Sequence, residues 1–528
     1  MFRYLTISLL LLAGSATAAP LLRLDPEHQN QSFGGAAAWL GDVNGDGHDD
    51  FLIIDGDQRG TGYSGRAYVY FGGPGVDAQA DLVLQQDASG PLRNVLIGPF
   101  DFNGDGYGDI VLSAPFYDLD GMTNCGAVFV YHGGPGLDAV ADRVLPGPWT
   151  NYLFGSSLAN AGHFDLEDEY DDLAVTIATG GGWGPPPTAY VYRGGPVPST
   201  DYYWLRSELS YDFPYYLATA GDRNGDGRGD LVFGLPSREG LWIHDGILTM
   251  TDGAGAAYLV HGGDLRLGAQ TYWDILAGPA YIGSEVDGGF DINGDGLDDV
   301  IATAPGIQET RLILGHPNPA TLTALNLAPG QDAAGLGDVN GDGFDDLAIV
   351  GLDNVIYVFW GGATPDAKPD WSINPEPGIP DPYIRVWRAG DVNADGRADV
   401  LVTLMWYTGY GNHAERAYVY SGAGMTSDVP SASAGDLALV YGGAAPNPFN
   451  PRTEISFSLD REATVHVRLF DVRGRLVCTA FDGVLAAGDH TVTWNGLDDA
   501  GRALPSGTYM VQVLGLGRAV GGVVTMVK

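Results

Sequence analysis

Six short acidic segments carry the residue types and the spacing that could hold a metal ion. In the first, Asp42, Asn44, Asp46 and Asp50 stand at positions 1, 3, 5 and 9, and His48 at position 7 would add its backbone carbonyl. The pattern recurs as Asp101, Asn103, Asp105, Tyr107 and Asp109, and as Asp222, Asn224, Asp226, Arg228 and Asp230. It returns as Asp291, Asn293, Asp295, Leu297 and Asp299, as Asp338, Asn340, Asp342, Phe344 and Asp346, and as Asp391, Asn393, Asp395, Arg397 and Asp399. Glycine at position 6 permits the sharp turn that folds the oxygens inward. Hard oxygens in that number favour calcium over zinc or copper, and magnesium resists so irregular a cage. Three aspartates brought together repel one another, and a divalent cation offsets that. The same residue types also favour plain turns, so the sixfold recurrence carries the expectation of about six Ca2+ sites. An EF-hand would need Glu at position 12 between helices, whereas Ile53 stands there inside an apolar run. A degraded copy, with His163, Asp165, Glu167 and Asp172, fits only with one inserted residue, and its metal binding stays open.

The elements that must position these loops also repeat. Each loop runs into a short apolar strand such as Phe51 to Ile54 or Leu347 to Val350. An aromatic strand follows, usually ending in Gly-Gly, as in Ala67 to Gly73, Val128 to Gly134 and Ala189 to Gly195. Seven such strands match seven loops, whose starts lie 47 to 69 residues apart, room for about four strands each. The expected fold is therefore all-β, a seven-bladed β-propeller followed by a small C-terminal Ig-like β-sandwich. After Tyr420 no outer strand follows, and Leu21 to Leu24 is expected to supply it, closing the ring and removing an open sheet edge. Residues 1–18, with Arg3 and the apolar run Leu5 to Leu12, read as a secretory signal peptide. The propeller is then expected over 19–426, a linker over 427–439 and the sandwich over 440–528, where alternating strands are divided by turn signals.

Composition narrows the function. The formal charge is −40, yet hydrophobic residues make up 45% of the 528, which argues for a folded chain. Such acidity excludes nucleic acid as a partner, since phosphate binding needs Lys and Arg. From Gly442 onward eight acidic and eight basic residues balance, so the excess lies with the loops. Cys125 and Cys478 form no disulfide framework. Neither a Ser/His/Asp or Cys/His nucleophile pattern nor a zinc motif stands out, and the carboxylates repeat with the loops. Arg228-Gly229-Asp230 resembles an adhesive tripeptide, but Asp230 is already position 9 of a loop. His132 and His261, after equivalent aromatic strands, read as turn residues. The Gly180 to Pro187 insertion reads either as a stiff loop or as a ligand contact through Trp183.

Phe33-Gly34 or Phe154-Gly155 before a loop, Ser113-Ala-Pro115 or Thr303-Ala-Pro305 after it, and the Tyr-Val-Tyr strand beyond resemble FG-GAP repeats, the units of the integrin α propeller. The likeness covers about residues 21–425 and implies a calcium-stabilised propeller used for extracellular recognition or adhesion. The partner would be an extracellular protein or glycan. Pro446 to Phe449, Phe470 to Gly474, Trp494-Asn-Gly496, Ser506 to Tyr509 and Val523 to Lys528 resemble the Ig-like domain of flagellar hook-capping proteins and type IX secretion sorting domains. That implies a bacterial protein sent to the outer surface or medium, with the C-terminal domain meeting the export machinery. The competing expectations are an extracellular carbohydrate-active enzyme and a structural surface-layer component.

Overall fold

The computed structural model describes residues 19–27, 32–56, 65–85, 90–164, 170–178, 188–196, 202–206, 216–235, 240–244, 247–251, 256–263, 273–277, 283–304, 309–318, 323–377, 379, 381–409, 412–425, 439–447, 449–450, 452–459, 463–471, 476–498, 502–515 and 518–527. The signal peptide expected over 1–18, nearly all of the linker, Trp183 and the centre of the degraded loop lie outside them. The chain divides into two compact units, Met1–Val429 and Pro430–Lys528.

Among the described residues the first unit is built from seven four-stranded antiparallel sheets. The first sheet runs Phe33–Gly41, Asp50–Asp55, Arg66–Tyr70, Leu82–Gln85 from its inner to its outer strand. The inner strands of the other six are Asn94–Val95, Leu158–Gly162, Tyr216–Gly221, Val286–Phe290, Gly330–Gly337 and Tyr383–Gly390. They pack side by side around an axial cavity, and Tyr383–Gly390 returns to Phe33–Gly41, so the array is a propeller. Each acidic loop joins the inner strand to the second, which places all the loops at one end of the axis.

Alternation buries both faces of the second and third strands, as the Val-, Ile- and Tyr-rich runs require. Ile110–Ala114 and Ala127–Tyr131 are buried throughout, and side chains of adjacent sheets share clusters, such as Leu52, Ile54 and Val69 with Ile110, Leu112 and Phe129. The seventh sheet takes its outer strand from the start of the described chain: Leu22–Leu24 pairs with Asn412–Tyr420 in the register Leu22 with Val419 and Leu24 with Ala417. One element was not foreseen. A two-stranded hairpin, Gly240–His244 with Ile247–Thr251, is inserted between the second and third strands of the fourth sheet.

The second unit has a three-stranded sheet, Leu439–Ala445, Thr453–Leu459 and Gly488–Trp494, and a four-stranded one, Leu476–Leu485, Ala463–Asp471, Gly507–Gly515 and Arg518–Met526. Phe449, Phe457, Val467, Trp494, Tyr509 and Val511 fill its core. The whole fold is all-β, as the strand patterns predict. Among the described residues no helix is long and apolar enough to cross a membrane.

Candidate metal centres

One conformation recurs in the acidic loops. The position-1 carboxylate accepts the amide of position 4 at 2.6–2.7 Å in five loops and that of position 6 at 2.7–2.8 Å in all six. The position-5 carboxylate accepts the amide of position 7 at 3.0–3.1 Å. Position-6 glycines such as Gly47 (φ +89°) and Gly106 (φ +91°) lie in the left-handed region, where a side chain is strained. In the seventh sheet Ala394 replaces the position-4 glycine and still holds φ +59°.

The position-9 aspartates behave differently. Asp50, Asp230, Asp299, Asp346 and Asp399 are fully buried and Asp109 nearly so. One carboxylate oxygen accepts the amide of position 2, as from Val43 at 2.9 Å and Ile292 at 3.0 Å. The other accepts the first glycine that ends the aromatic strand, for instance Gly72 at 2.8 Å, Gly133 at 2.9 Å and Gly361 at 2.8 Å. Even the degraded loop keeps this bond, from Gly194 to Asp172 at 3.1 Å. Burial, and after it the charges of Asp46 and Asp42, push the Asp50 carboxyl up to about 7 although the two amides pull it down. Asp299 and Asp399 are raised to about 7 and Asp346 to about 8, again chiefly by burial.

Two histidines that read as turn residues touch this position. His132 Nδ1 lies 3.3 Å from Asp109 Oδ2 and His261 Nδ1 lies 2.9 Å from Asp230 Oδ2. Asp230 has no exposed surface, so Arg228-Gly229-Asp230 is not displayed as an adhesive tripeptide.

Among the described residues no three His, Cys, Asp or Glu side chains are gathered at metal-ligand spacing. The donor set nevertheless fits a hard cation. Each carboxylate oxygen bonded to an amide keeps a second lone pair. A buried aspartate beside two further aspartates is a costly arrangement that a divalent ion offsets.

Position 8, which the metal pattern ignores, links neighbouring sheets. Asp49 accepts the amide of Asp391 at 2.8 Å, Asp171 that of Asp101 at 3.1 Å, Asp298 that of Asp222 at 2.7 Å, and Asp345 that of Asp291 at 3.0 Å. In each case the acceptor reaches back to the loop of the preceding sheet. The Gly-Gly turn makes a parallel link. Its second residue donates to the position-2 carbonyl of the preceding loop, as Gly73 to Val392, Gly134 to Val43 and Gly362 to Ile292, at 2.8–2.9 Å. A Cβ on the first glycine would stand 2.1 Å from the Asp49 carbonyl at Gly72 and 2.0 Å from that of Gly108 at Gly133, so only glycine fits.

An FG-GAP repeat model matches residues 97–132, an FG-GAP-like repeat model residues 338–402, and a model of the FlgD Ig-like domain residues 445–517. Integrin alpha-5 of Xenopus laevis is 34% identical over 182 residues, covering 32% of this chain and 16% of that protein. Phosphatidylinositol-glycan-specific phospholipase D of Bos taurus is 32% identical over 161 residues, covering 28% of this chain and 19% of that protein. The chain thus spans less than a fifth of the length of these relatives. Among solved structures, the BP39L lectin from Burkholderia pseudomallei aligns at 15% identity and a TM-score of 0.42, over 73% of this chain and 98% of that one. PorZ, a surface component of the type-IX secretion system of Porphyromonas gingivalis, aligns at 14% identity and a TM-score of 0.28, over 91% of this chain and 58% of that one.

Proposed function

We propose that the chain is an exported, calcium-binding seven-bladed propeller protein that acts by recognition or adhesion at the cell surface or outside the cell, without catalysis. The observation that carries this reading is the sixfold recurrence of one loop conformation in a chain with FG-GAP repeats and integrin alpha relatives. In each loop the side chains equivalent to Asp42, Asn44, Asp46 and Asp50, with the carbonyl equivalent to that of His48, would hold one Ca2+. The ion supplies positive charge to a turn whose own groups are negative, and so makes the ends of six of the seven sheets rigid. The loops that open the inner strands, at the opposite end of the axis, are then held as a fixed surface for an extracellular protein or glycan. The Ig-like unit serves export or surface attachment.

The purified chain, applied to immobilised matrix proteins and polysaccharides with and without calcium, should bind at least one of them saturably, with loss of binding in EDTA. A chain that binds none of them would sink the reading. The competing reading, a carbohydrate-active enzyme, is favoured by one observation, a group of carboxylates in the axial cavity that the repeats do not share. Incubation with the same polysaccharides followed by product analysis decides between the two, since cleavage products would remove the non-catalytic claim.

A further inference from the structure

The seven inner strands repeat in backbone but not in what they turn toward the axis. The cavity they line has a volume of about 650 Å³, within the usual range for sites that take small ligands. One arc of its wall is uncharged, formed from Gly35 to Ala37, Asn94, Val95, Ile97 to Pro99 and Ser156 to Asn160. The facing arc carries Glu285, Asp287, Asp332, Arg385 and Arg388, from three successive sheets, while Asp171, Asp222, Arg228 and Asp298 of the acidic loops also reach the wall. No sequence repeat predicts that asymmetry, and the loop chemistry does not use it.

The charged arc is built rather than accidental. Arg385 Nη2 donates to Glu285 Oε2 at 3.2 Å, and its Nε lies 3.7 Å from Asp332 Oδ2. Asp332 Oδ2 accepts the Val386 amide at 2.9 Å and Asp287 Oδ2 accepts that of Gly335 at 2.9 Å, which fixes both carboxylates. The Arg385 guanidinium lies 4.4 Å from the centre of the Trp387 ring and that of Arg388 lies 4.0 Å from the centre of the Trp39 ring. The Nε atoms of both arginines and Trp39 Nε1 are buried donors with no hydrogen-bond partner among the described residues. Burial also raises Glu285 to about 8 and Asp287 to about 6, so neither ionises as readily as an exposed carboxyl. Tyr216 is in the wall, and Tyr383 stands half exposed where its strand begins.

Donors and acceptors thus alternate within a few ångströms on a wall that presents both signs of charge, beside aromatic rings. An anionic ligand would face three carboxylates and a cationic one two guanidiniums. A hydroxyl both donates and accepts, and an array of hydroxyls serves such a wall without upsetting its charge. We propose that the axial cavity binds one or two neutral sugar residues, held by the Glu285, Arg385 and Asp332 group and by the donors of Arg388 and Trp39. The inference rests on the recognition reading above and gives it a place and a ligand class.

Saturation-transfer NMR of the full chain in calcium, with methyl glycosides of glucose, galactose, mannose and N-acetylglucosamine and with glucuronate and glucosamine as charged probes, tests it. At least one neutral glycoside should give transfer, and neither charged probe should exceed it. Arg385→Gln should weaken binding about tenfold or more, the usual effect of losing a charged hydrogen-bonding partner. Because that change could also loosen the fold, Ile97→Trp is the second variant: it adds bulk from the uncharged arc and removes no ion pair. It should abolish transfer while leaving the circular dichroism melt in place. Binding that survives Ile97→Trp, preference for a charged probe, or no transfer from any neutral glycoside would overturn the proposal. If the chain still binds a matrix protein in those cases, recognition stands and only the cavity's role falls.

Discussion

At the scale of single residues, the position-9 aspartate has two duties that the metal pattern merges into one. It is a candidate ligand, and it is also the buried anchor to which an inner-strand turn and a Gly-Gly turn are tied. In the third loop, whose sequence pattern is degraded, Asp172 keeps the second duty through its bond from Gly194. The partner glycines are sterically fixed. Gly133→Ala places a methyl 2.0 Å from the Gly108 carbonyl and should cost about 3 kcal/mol in a urea melt. Gly136→Ala, with nothing within 4 Å, should cost little. Asp55 is fully buried, neither of its oxygens is bonded among the described residues, and it is pushed up to about 7 by burial and then by the Glu415 charge. Its folded pKa lies above the unfolded one, so the folded chain holds more protons between about pH 4 and 7 and stability falls as pH rises through that window. Asp55→Asn should flatten this fall and be the more stable chain at pH 8, by roughly 2–4 kcal/mol, as unfolding curves at pH 5 and 8 would measure. Positions 1, 3, 5 and 9 were legible because their spacing is local. The burial of Asp55 was not, since Asp55 extends an apolar strand as if it were the first residue of a turn.

At the scale of elements, the strands were readable because each carries its own aromatic or aliphatic run and its own turn signal. The links between sheets were not, because the partners lie far apart in sequence. Asp298 reads as one more acid in an acidic run, and only the fold shows that it accepts the amide of Asp222, 76 residues earlier. Asp298→Ala should leave that amide unpaired and lower stability by about 1–3 kcal/mol, whereas Asp298→Asn, which keeps an acceptor oxygen, should lose much less. Both follow from chemical denaturation. The Phe-Gly and Ser-Ala-Pro halves of the repeat find a joint reason in the same way. Ser113 Oγ donates to the Gly155 carbonyl at 2.7 Å, and a Cβ on Gly155, at φ +87°, would stand 2.7 Å from that of Ser113. The two motifs are the sides of one junction between neighbouring sheets, which is why they travel together. The inserted hairpin at Gly240–Thr251 was missed because its strands resemble blade strands in composition, and nothing local shows that they pair only with each other.

For the whole molecule, the loops form a band at one end of the axis, each tied to its neighbours, so loss of the ions should be felt around the ring rather than site by site. Chelation by EDTA should lower the melting temperature, and calcium should restore it with a steeper dependence on concentration than one site gives, since each site adds about 2.7 kcal/mol at a hundredfold excess over its Kd. A melting curve that ignores both reagents would remove calcium from the account. The two ends of the ring are joined where Leu22–Leu24 pairs with Asn412–Tyr420, with Arg416 reaching Asp25 391 residues away. Contacts so distant in sequence slow folding, because a long loop must close before they form. Until Tyr420 has been made and brought back to Leu22, the pairing that joins the two ends of the ring cannot form. If the chain is exported as proposed, such a delay would leave it open while it crosses, and the docking of Leu22–Leu24 would mark the moment at which the ring is shut.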